Sequence, residues 1–190
     1  LENKELEKIS QEIGSDIPFC IEGGRQICFG RGEILEKLKC NQFELGVILV
    51  KDPLIQVSTP VAYKNYKEQY GHTYLDDDRD FEIRRKIIRS DDWSDHSLLD
   101  NLKVIQNDLQ KTVSPMAPEV EKSLRILSGL PGSRLVSMSG SGPSCFALFP
   151  NYEYANKILN DHIYEFDRAG LSAWACSMMS NGVQLENEFI

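Results

Sequence analysis

The residues best suited to chemistry form a run of small side chains, Met138-Ser139-Gly140-Ser141-Gly142-Pro143-Ser144, between strand-like stretches at 133–137 and 145–149. Glycine lets backbone approach a ligand closely, and the N–H and hydroxyl groups of such a loop can face a phosphate. The run lacks the lysine of a P-loop, and Cys145 stands where G-x-G-x-x-G needs its third glycine. A plain turn between strands is therefore the alternative for this segment, called here the Ser/Gly loop (Met138–Ser144).

A second candidate is Asp16, in the segment Gly14-Ser15-Asp16-Ile17-Pro18-Phe19. The glycine and proline predict a turn there, after an amphipathic helix. Transfer of a γ-phosphoryl group needs positioning, electrostatic stabilisation and a carboxylate that orients or deprotonates the acceptor hydroxyl. Capping of the segment after Pro18 is the commoner use of such an aspartate, and this residue alone leaves both roles open. Together with the Ser/Gly loop, Asp16 suggests phosphoryl transfer.

Tyr63 is a candidate for stacking on a nucleobase or sugar, although a tyrosine in a half-buried helix more often fills the core. Metal binding by histidine is not indicated, because His72, His96 and His162 lie far apart and show no ligand spacing. The run at 76–78 is acidic but lacks the glycine and distal glutamate of a calcium loop, which favours a solvated surface.

Composition narrows the class of protein. The chain has 190 residues, enough for one ordinary domain or at most two small ones. Its formal net charge of -8 argues against general binding of nucleic acid. No apolar stretch approaches the roughly 20 residues of a membrane-spanning helix. The five cysteines are scattered and odd in number, so we expect reduced core residues in a cytosolic-type compartment. Because the sequence opens with Leu1 instead of methionine and runs at once into a helical pattern, we expect the chain to continue a longer protein.

The elements that must position these residues can be predicted from apolar patterns and from glycine and proline. Helix 2–13 presents Leu6, Ile9 and Ile13 on one face and ends at Gly14. A strand buried on both faces is expected at 45–50, and the next helix has Thr59 as its N-cap and Pro60 at its first position. Short strands at 19–21 and 26–29 joined by a hairpin, helices at 101–112, 118–127 and 152–166, and a last strand at 172–178 complete the prediction. This mixed order favours an α+β sandwich with helices on one face of a mainly antiparallel sheet.

The polar stretch at 70–95 is expected to be a surface excursion or a helix with loose ends. It contains the basic residues Arg84, Arg85 and Lys86. A solvated helix face is the common explanation of such a cluster, and its role is left open.

Five segments of the sequence occur in a characteristic order: Gly14-Ser15-Asp16-Ile17-Pro18-Phe19, Gly30-Arg31-Gly32-Glu33-Ile34-Leu35, Ser58-Thr59-Pro60-Val61-Ala62-Tyr63, Asn107-Asp108-Leu109 and Met138-Ser139-Gly140-Ser141-Gly142. In this order they resemble the GHMP kinase superfamily, and within it the kinases of cytidine-diphospho-methylerythritol. The resemblance spans roughly residues 6–183.

The resemblance implies that ATP, with Mg²⁺, phosphorylates a hydroxyl of the cytidine-diphospho-methylerythritol substrate. Asp16 then matches the catalytic aspartate, and Tyr63 matches an aromatic residue against the cytosine ring. Thr59 and Pro60 open the helix near the substrate. The loop residues Ser139, Gly140, Ser141 and Gly142 match the motif that supports the phosphate-binding region.

The resemblance also implies the architecture. Residues 1–42 are expected to be the end of the N-terminal kinase domain, and residues 43–190 a ferredoxin-like C-terminal α/β sandwich. The family's Gly-rich ATP loop has no counterpart in this sequence, so we expect this chain alone to be inactive. The alternatives are another GHMP small-molecule kinase and a ferredoxin-like binding domain without catalysis. The expected location is the cytoplasm or the plastid stroma.

Overall fold

The computed structural model describes residues 3–38, 45–90 and 106–184, which form two compact units. The first unit contains residues 3–38 and 178–184, and the second contains residues 45–90 and 106–177. Residues 178–184, near the end of the described chain, thus belong to the same unit as residues 3–38. The domain boundary expected between residues 42 and 43 falls outside the described ranges and stays a prediction.

The first unit pairs two helices with a small sheet: α1 (Asn3–Ile13), α2 (Ile17–Glu22), β1 (Gln26–Phe29) and β2 (Ile34–Lys37). Strands β1 and β2 are antiparallel, with Phe29 opposite Ile34. The strand predicted at 19–21 is wrong, because Asp16 and Pro18 start a helix there that runs to Glu22. The hairpin turn therefore lies at 30–33 and not at 22–25.

The apolar side chains of α1 do not form the buried face that their spacing predicts. Within the described structure, Ile9 is 50% exposed and Ile13 is 72% exposed, whereas Ser10 is buried. The expectation that the cysteines are core residues is also wrong in this unit, since Cys20 and Cys28 are exposed. Cys40 lies outside the described residues.

Residues 178–184 join the first unit through backbone hydrogen bonds to α2. Gly182 donates its N–H to the carbonyl of Glu22 at 3.2 Å, and Val183 donates to the carbonyl of Cys20 at 3.0 Å. The last carbonyls of a helix have no partner inside the helix. This returning segment satisfies two carbonyls of α2.

The second unit contains a four-stranded antiparallel sheet in the order β4-β5-β3-β6. The strands are β3 (Gly46–Lys51), β4 (Leu135–Met138), β5 (Cys145–Phe149) and β6 (Ser172–Ser177). Helices follow β3 and β5, while β4 and β5 form a hairpin, so the order of elements is β-α-β-β-α-β. The predicted α+β, ferredoxin-like sandwich is confirmed.

The helices of the second unit fall mostly near their predicted positions. They are α3 (Thr59–Tyr70), a 3₁₀ turn (Gly71–Thr73), α4 (Asp78–Ser90), α5 (Asp108–Met116), α6 (Pro118–Gly129), α7 (Tyr152–Asp161) and α8 (Ile163–Ala169). The helix predicted at 101–112 begins at Asp108, and residues 101–105 lie outside the described structure. The helix predicted at 152–166 is two helices, because the chain turns at His162.

The core lies between this sheet and the helices. Ile48 and Val50 of β3, Phe149 of β5, Leu127 of α6 and Phe166 of α8 have no exposed surface. The prediction that β3 is buried on both faces is wrong, since its alternate residues are partly exposed. Helices over one face of the sheet produce this alternation. Cys145 belongs to the core, and burial raises the pKa of its thiol to about 12.

Helix α4 contains the basic cluster noted in the sequence. Arg84 and Lys86 are exposed, and Arg85 forms an ion pair with Glu82 one turn earlier. The apolar residues Phe81 and Ile83 are exposed as well.

Among the described helices, none has the length and apolar character needed to cross a membrane.

Candidate functional site

The Ser/Gly loop connects β4 to β5 and closes on itself. The N–H of Ser139 donates to the carbonyl of Ser144, and the N–H of Gly142 donates to the carbonyl of Ser139, each at 2.9 Å. Gly142 has a φ of 79°, a conformation that residues with a side chain rarely adopt, and a Cβ there would also lie 2.7 Å from Met138 Sδ and displace that side chain. Ser139 and Gly140 are exposed at the tip, where backbone can meet a ligand.

Two side chains from the start of α5 hold the base of the loop. Asn107 Nδ2 donates to the carbonyls of Met138 and Gly140, both at 2.8 Å. Gln110 Oε1 accepts the N–H of Met138 at 2.8 Å and the hydroxyl of Ser137 at 3.3 Å. The loop is therefore attached to α5 by side chains, in addition to its pairing within the sheet.

Helix α3 contacts the same loop. Thr59 Oγ1 lies 2.7 Å from Ser141 Oγ, although the two residues are 82 positions apart in the sequence. Two segments predicted separately as substrate-binding and phosphate-binding are thus in direct contact. The prediction of Thr59 as N-cap is wrong by one position: Ser58 is the N-cap, so Thr59 and Pro60 are the first and second helical residues.

The loop therefore lies against the N-termini of two helices, through Thr59 of α3 and Asn107 of α5. Helix N-termini carry partial positive charge and favour anions. Asp108 opposes this in the first turn of α5, but it forms an ion pair with Lys111 at 3.0 Å. The hydrogen bond to Asp108 also raises the pKa of Lys111. The local negative charge is thus paired, and the arrangement suits a phosphate group.

Tyr63 lies one turn after Thr59 on α3 and is 58% exposed, so it is not a core residue. Residues four apart share a helix face, which puts Tyr63 on the side of α3 that carries Thr59. Tyr66 differs, because it packs against the core and stacks on Tyr74 with ring centroids 6.1 Å apart. Of these tyrosines, Tyr63 has the ring available for stacking on a ligand.

Asp16 lies in the first unit at the N-cap of α2. Its carbonyl accepts the N–H of Cys20 at 3.2 Å, but its carboxylate makes no capping hydrogen bond to the helix. Pro18, which has no N–H, removes one of the donors that a capping aspartate uses. The side chain is exposed, so its carboxylate is open to solvent.

The hairpin turn at 30–33 and β1 border the Asp16 carboxylate. A Cβ on Gly32, where φ is 120°, would lie 3.5 Å from Asp16 Oδ1. Partial burial, and then the negative charge of Asp16, raise the pKa of the Cys28 thiol. Glu33 closes the turn by accepting the N–H of Arg31 at 2.7 Å. The segment containing Gly30 and Gly32 thus forms part of the surroundings of Asp16.

An open cavity of about 440 Å³ lies beside the Asp16 turn, with Lys8, Gln11, Ser15 and Arg31 in its wall. Asp16 itself does not line it. In residues 3–38, 45–90 and 106–184, no three His, Cys, Asp or Glu side chains are grouped so that they could hold a metal ion. Mg²⁺ is often held by one or two carboxylates together with substrate phosphates, which needs no such group, and no residue is assigned to it here.

The sequence patterns missed the residues that hold the loop. The segment containing Asn107 contributed to the family resemblance, but its spacing gave no sign of a contact with Met138 or Gly140. Gln110 was not singled out at all. Polar side chains at the start of a helix were the available signal, and they normally indicate a cap only.

Comparison with known proteins gives a family match for part of the second unit. The description "GHMP kinases C terminal" matches residues 85–167. This part of the second unit is thus similar to the C-terminal domain of the GHMP kinases.

The chain as a whole is similar to proteins named 4-diphosphocytidyl-2-C-methyl-D-erythritol kinase. It is 76% identical over 190 residues to one from Prochlorococcus marinus (strain NATL1A), covering all of this chain and 60% of the relative. It is 48% identical over 182 residues to one from strain MIT 9303, covering 96% of this chain and 57% of the relative. The chain thus spans less than two thirds of the length of these relatives.

A solved structure has a similar fold. The crystal structure of a 4-(cytidine 5'-diphospho)-2C-methyl-D-erythritol kinase matches with a TM-score of 0.61 at 24% identity. The match covers 94% of this chain and 57% of that one. At this identity the likeness concerns the fold alone.

Proposed function

We propose that this chain supplies the later part of a kinase that transfers the γ-phosphoryl group of ATP to a hydroxyl of 4-diphosphocytidyl-2-C-methyl-D-erythritol. The observation that carries the proposal is the 2.7 Å contact between Thr59 and Ser141, which joins the two candidate ligand-binding segments. The names of relatives that are up to 77% identical support the choice of substrate. We also propose that residues 1–42 end the N-terminal kinase domain and that residues 43–190 form the C-terminal one.

In this proposal Asp16 orients the acceptor hydroxyl and accepts its proton as the new O–P bond forms. Phosphoryl transfer depends mainly on positioning and on stabilising charge, and a carboxylate near the nucleophile is the usual base. Two features of Asp16 support the role: its carboxylate is exposed, and it makes no capping hydrogen bond to α2.

The Ser/Gly loop would hold phosphate in this proposal. ATP brings the phosphoryl group that is transferred, and the loop contributes N–H and hydroxyl donors from Ser139, Gly140 and Ser141. In the described part of the chain, no backbone acceptor is bonded to the N–H of Gly140 or Ser141, so both remain available to an anion. The adjoining N-termini of α3 and α5 add partial positive charge.

A reducing compartment fits the chain's chemistry. Cys20 and Cys28 are exposed free thiols, and such thiols persist where thiol reductants are abundant. We propose the cytoplasm as the location, with the plastid stroma as the alternative.

The test compares this chain with a completed protein, in which it replaces the matched region of the relative that is 76% identical. ADP release is measured with ATP, Mg²⁺ and 4-diphosphocytidyl-2-C-methyl-D-erythritol, and in parallel with homoserine, mevalonate and galactose. We expect turnover by the completed protein with the cytidine substrate and none by the chain alone. Preference for another alcohol would contradict the proposed substrate, and turnover by the chain alone would contradict its dependence on the rest of the protein.

Replacing Tyr63 by alanine in the completed protein is expected to raise the KM for the cytidine substrate roughly 10-fold, because an aromatic ring stacked on a base contributes about 1–3 kcal/mol. Tyr63→Phe should retain the wild-type KM, since it keeps the ring. Tyr164→Ala is the matched control, because Tyr164 is 80% exposed on α8. Initial rates at varied substrate concentration measure the effect. An unchanged KM for Tyr63→Ala would rule out stacking by this residue.

A further inference from the structure

Asn107 makes hydrogen bonds in two directions. Its Oδ1 accepts the N–H of Leu109 at 3.1 Å and so caps α5. Its Nδ2 donates to the carbonyls of Met138 and Gly140 in the Ser/Gly loop. The amide oxygen therefore bonds to the helix, and the amide nitrogen bonds to a loop about 30 residues further along the chain.

A cap role alone does not explain this residue. Serine, aspartate and asparagine cap helices about equally well, because each presents an acceptor oxygen. Of the three, only asparagine also carries an N–H₂ group that can donate to two carbonyls. Asn151 shows the simpler case: it caps α7 through its hydrogen bond to Tyr154 N–H at 2.8 Å, within its own helix.

The contacts of Asn107 fix the part of the loop that leads to its exposed tip. Met138 is buried, its N–H is held by Gln110 and its carbonyl by Asn107. The second donor bond of Asn107 reaches Gly140, where φ is 54°. A hydrogen bond to the Gly140 carbonyl restrains the peptide plane that it shares with the N–H of Ser141. The direction of that N–H therefore depends on Asn107.

We propose that Asn107 is a positioning residue of the phosphate-binding loop: its amide N–H₂ group holds the Met138 and Gly140 carbonyls so that the N–H groups at the loop tip point outward to a phosphate. This inference rests on the proposed function of the loop and adds a residue to it. Asn107 contacts no phosphate itself and acts through the loop backbone.

The test is Asn107→Asp in the completed protein. Aspartate keeps the acceptor that caps α5, but it loses both donors and turns a carboxylate toward two carbonyls. We expect kcat/KM for ATP to fall roughly 10- to 100-fold, with a raised KM for ATP, because two hydrogen bonds are lost and the loop shifts. The melting temperature should fall by only a few degrees, because the cap is kept and the two lost hydrogen bonds contribute about 1 kcal/mol each.

Asn151→Asp is the matched control, because the same substitution there keeps the cap of α7 and should leave both kinetic constants unchanged. Should Asn107→Asp fail to fold, Asn107→Ser gives the answer, since serine caps without charge and cannot hold both carbonyls. Wild-type kinetics for either folded variant at position 107 would reduce Asn107 to a helix cap and overturn the proposal.

Hydrogen exchange separates this inference from the proposed function. In the completed protein, peptides covering 139–142 are expected to exchange at least several-fold faster in Asn107→Asp than in Asn151→Asp, whatever the substrate of the enzyme. Unchanged exchange in this segment would overturn the positioning role even where kinase activity is present. If exchange is faster in Asn107→Asp but the completed wild-type protein has no kinase activity, the positioning role of Asn107 is supported and the proposed function is contradicted.

Discussion

Replacing Asp16 by asparagine in the completed protein is expected to lower kcat by about 100- to 10,000-fold, the range that a positioned general base contributes. The KM values should change little, because asparagine is nearly isosteric and can still accept a hydrogen bond. Stability should change little as well, since the carboxylate makes no capping bond that the substitution would remove. Initial rates under saturating substrates, with a melting curve on the same sample, measure both expectations.

Asp161→Asn is the control for this experiment. Asp161 is an exposed aspartate at the end of α7, so the same loss of charge there should leave kcat unchanged. The catalytic role of Asp16 fails if the two variants have equal kcat. A fall in melting temperature confined to Asp16→Asn would instead indicate that the aspartate supports the fold.

Gly46→Ala is expected to destabilise the second unit by about 3 kcal/mol, at the upper end of the usual range for overpacking. A Cβ on Gly46 would lie 2.1 Å from the Asn151 carbonyl oxygen and 2.8 Å from Ala155 Cβ. The nearest of these atoms belongs to backbone, which no change of rotamer can move aside. Strand β3 or the start of α7 would therefore have to shift. The free energy of unfolding from urea denaturation, followed by circular dichroism, measures the effect.

Gly129→Ala is the matched substitution. Gly129 ends α6, and a Cβ there would meet nothing within 4 Å. Alanine forms helix better than glycine, so we expect between no change and about 1 kcal/mol of stabilisation. Equal free energies of unfolding for the two variants would contradict this prediction, because they would show that α7 can shift at little cost to accommodate the added methyl group on β3.

Local patterns predicted elements whose residues depend on their near neighbours. Strand β5 spans Cys145–Phe149 as expected, because an apolar run follows directly after the Ser/Gly loop. Helix α1 ends at Ile13, before a glycine, as a C-terminal glycine predicts. The start of α3 was predicted within one residue, since Pro60 fits only the first turn of a helix.

Other features depend on contacts between distant parts of the chain, which no local pattern contains. The apolar residues Phe19, Cys20 and Ile21 have the composition of a strand, yet they lie in α2, whose carbonyls bond to residues 182 and 183. The contact of Thr59 with Ser141 and the two bonds from Asn107 to the loop arise only after folding. The family resemblance named the segments involved, but it gave no contact between them.

The hydrogen bonds from Gly182 and Val183 to α2 have a consequence for the order of events during synthesis. The partners of the Cys20 and Glu22 carbonyls are translated about 160 residues later. At roughly 5–20 residues per second, this delay is on the order of 10–30 seconds. The strands of the second unit are all translated within that interval. Of the two units, the first is thus translated earlier but gains its last hydrogen bonds later. If translation stopped at residue 177, the carbonyls of Cys20 and Glu22 would lack the partners that residues 182 and 183 supply.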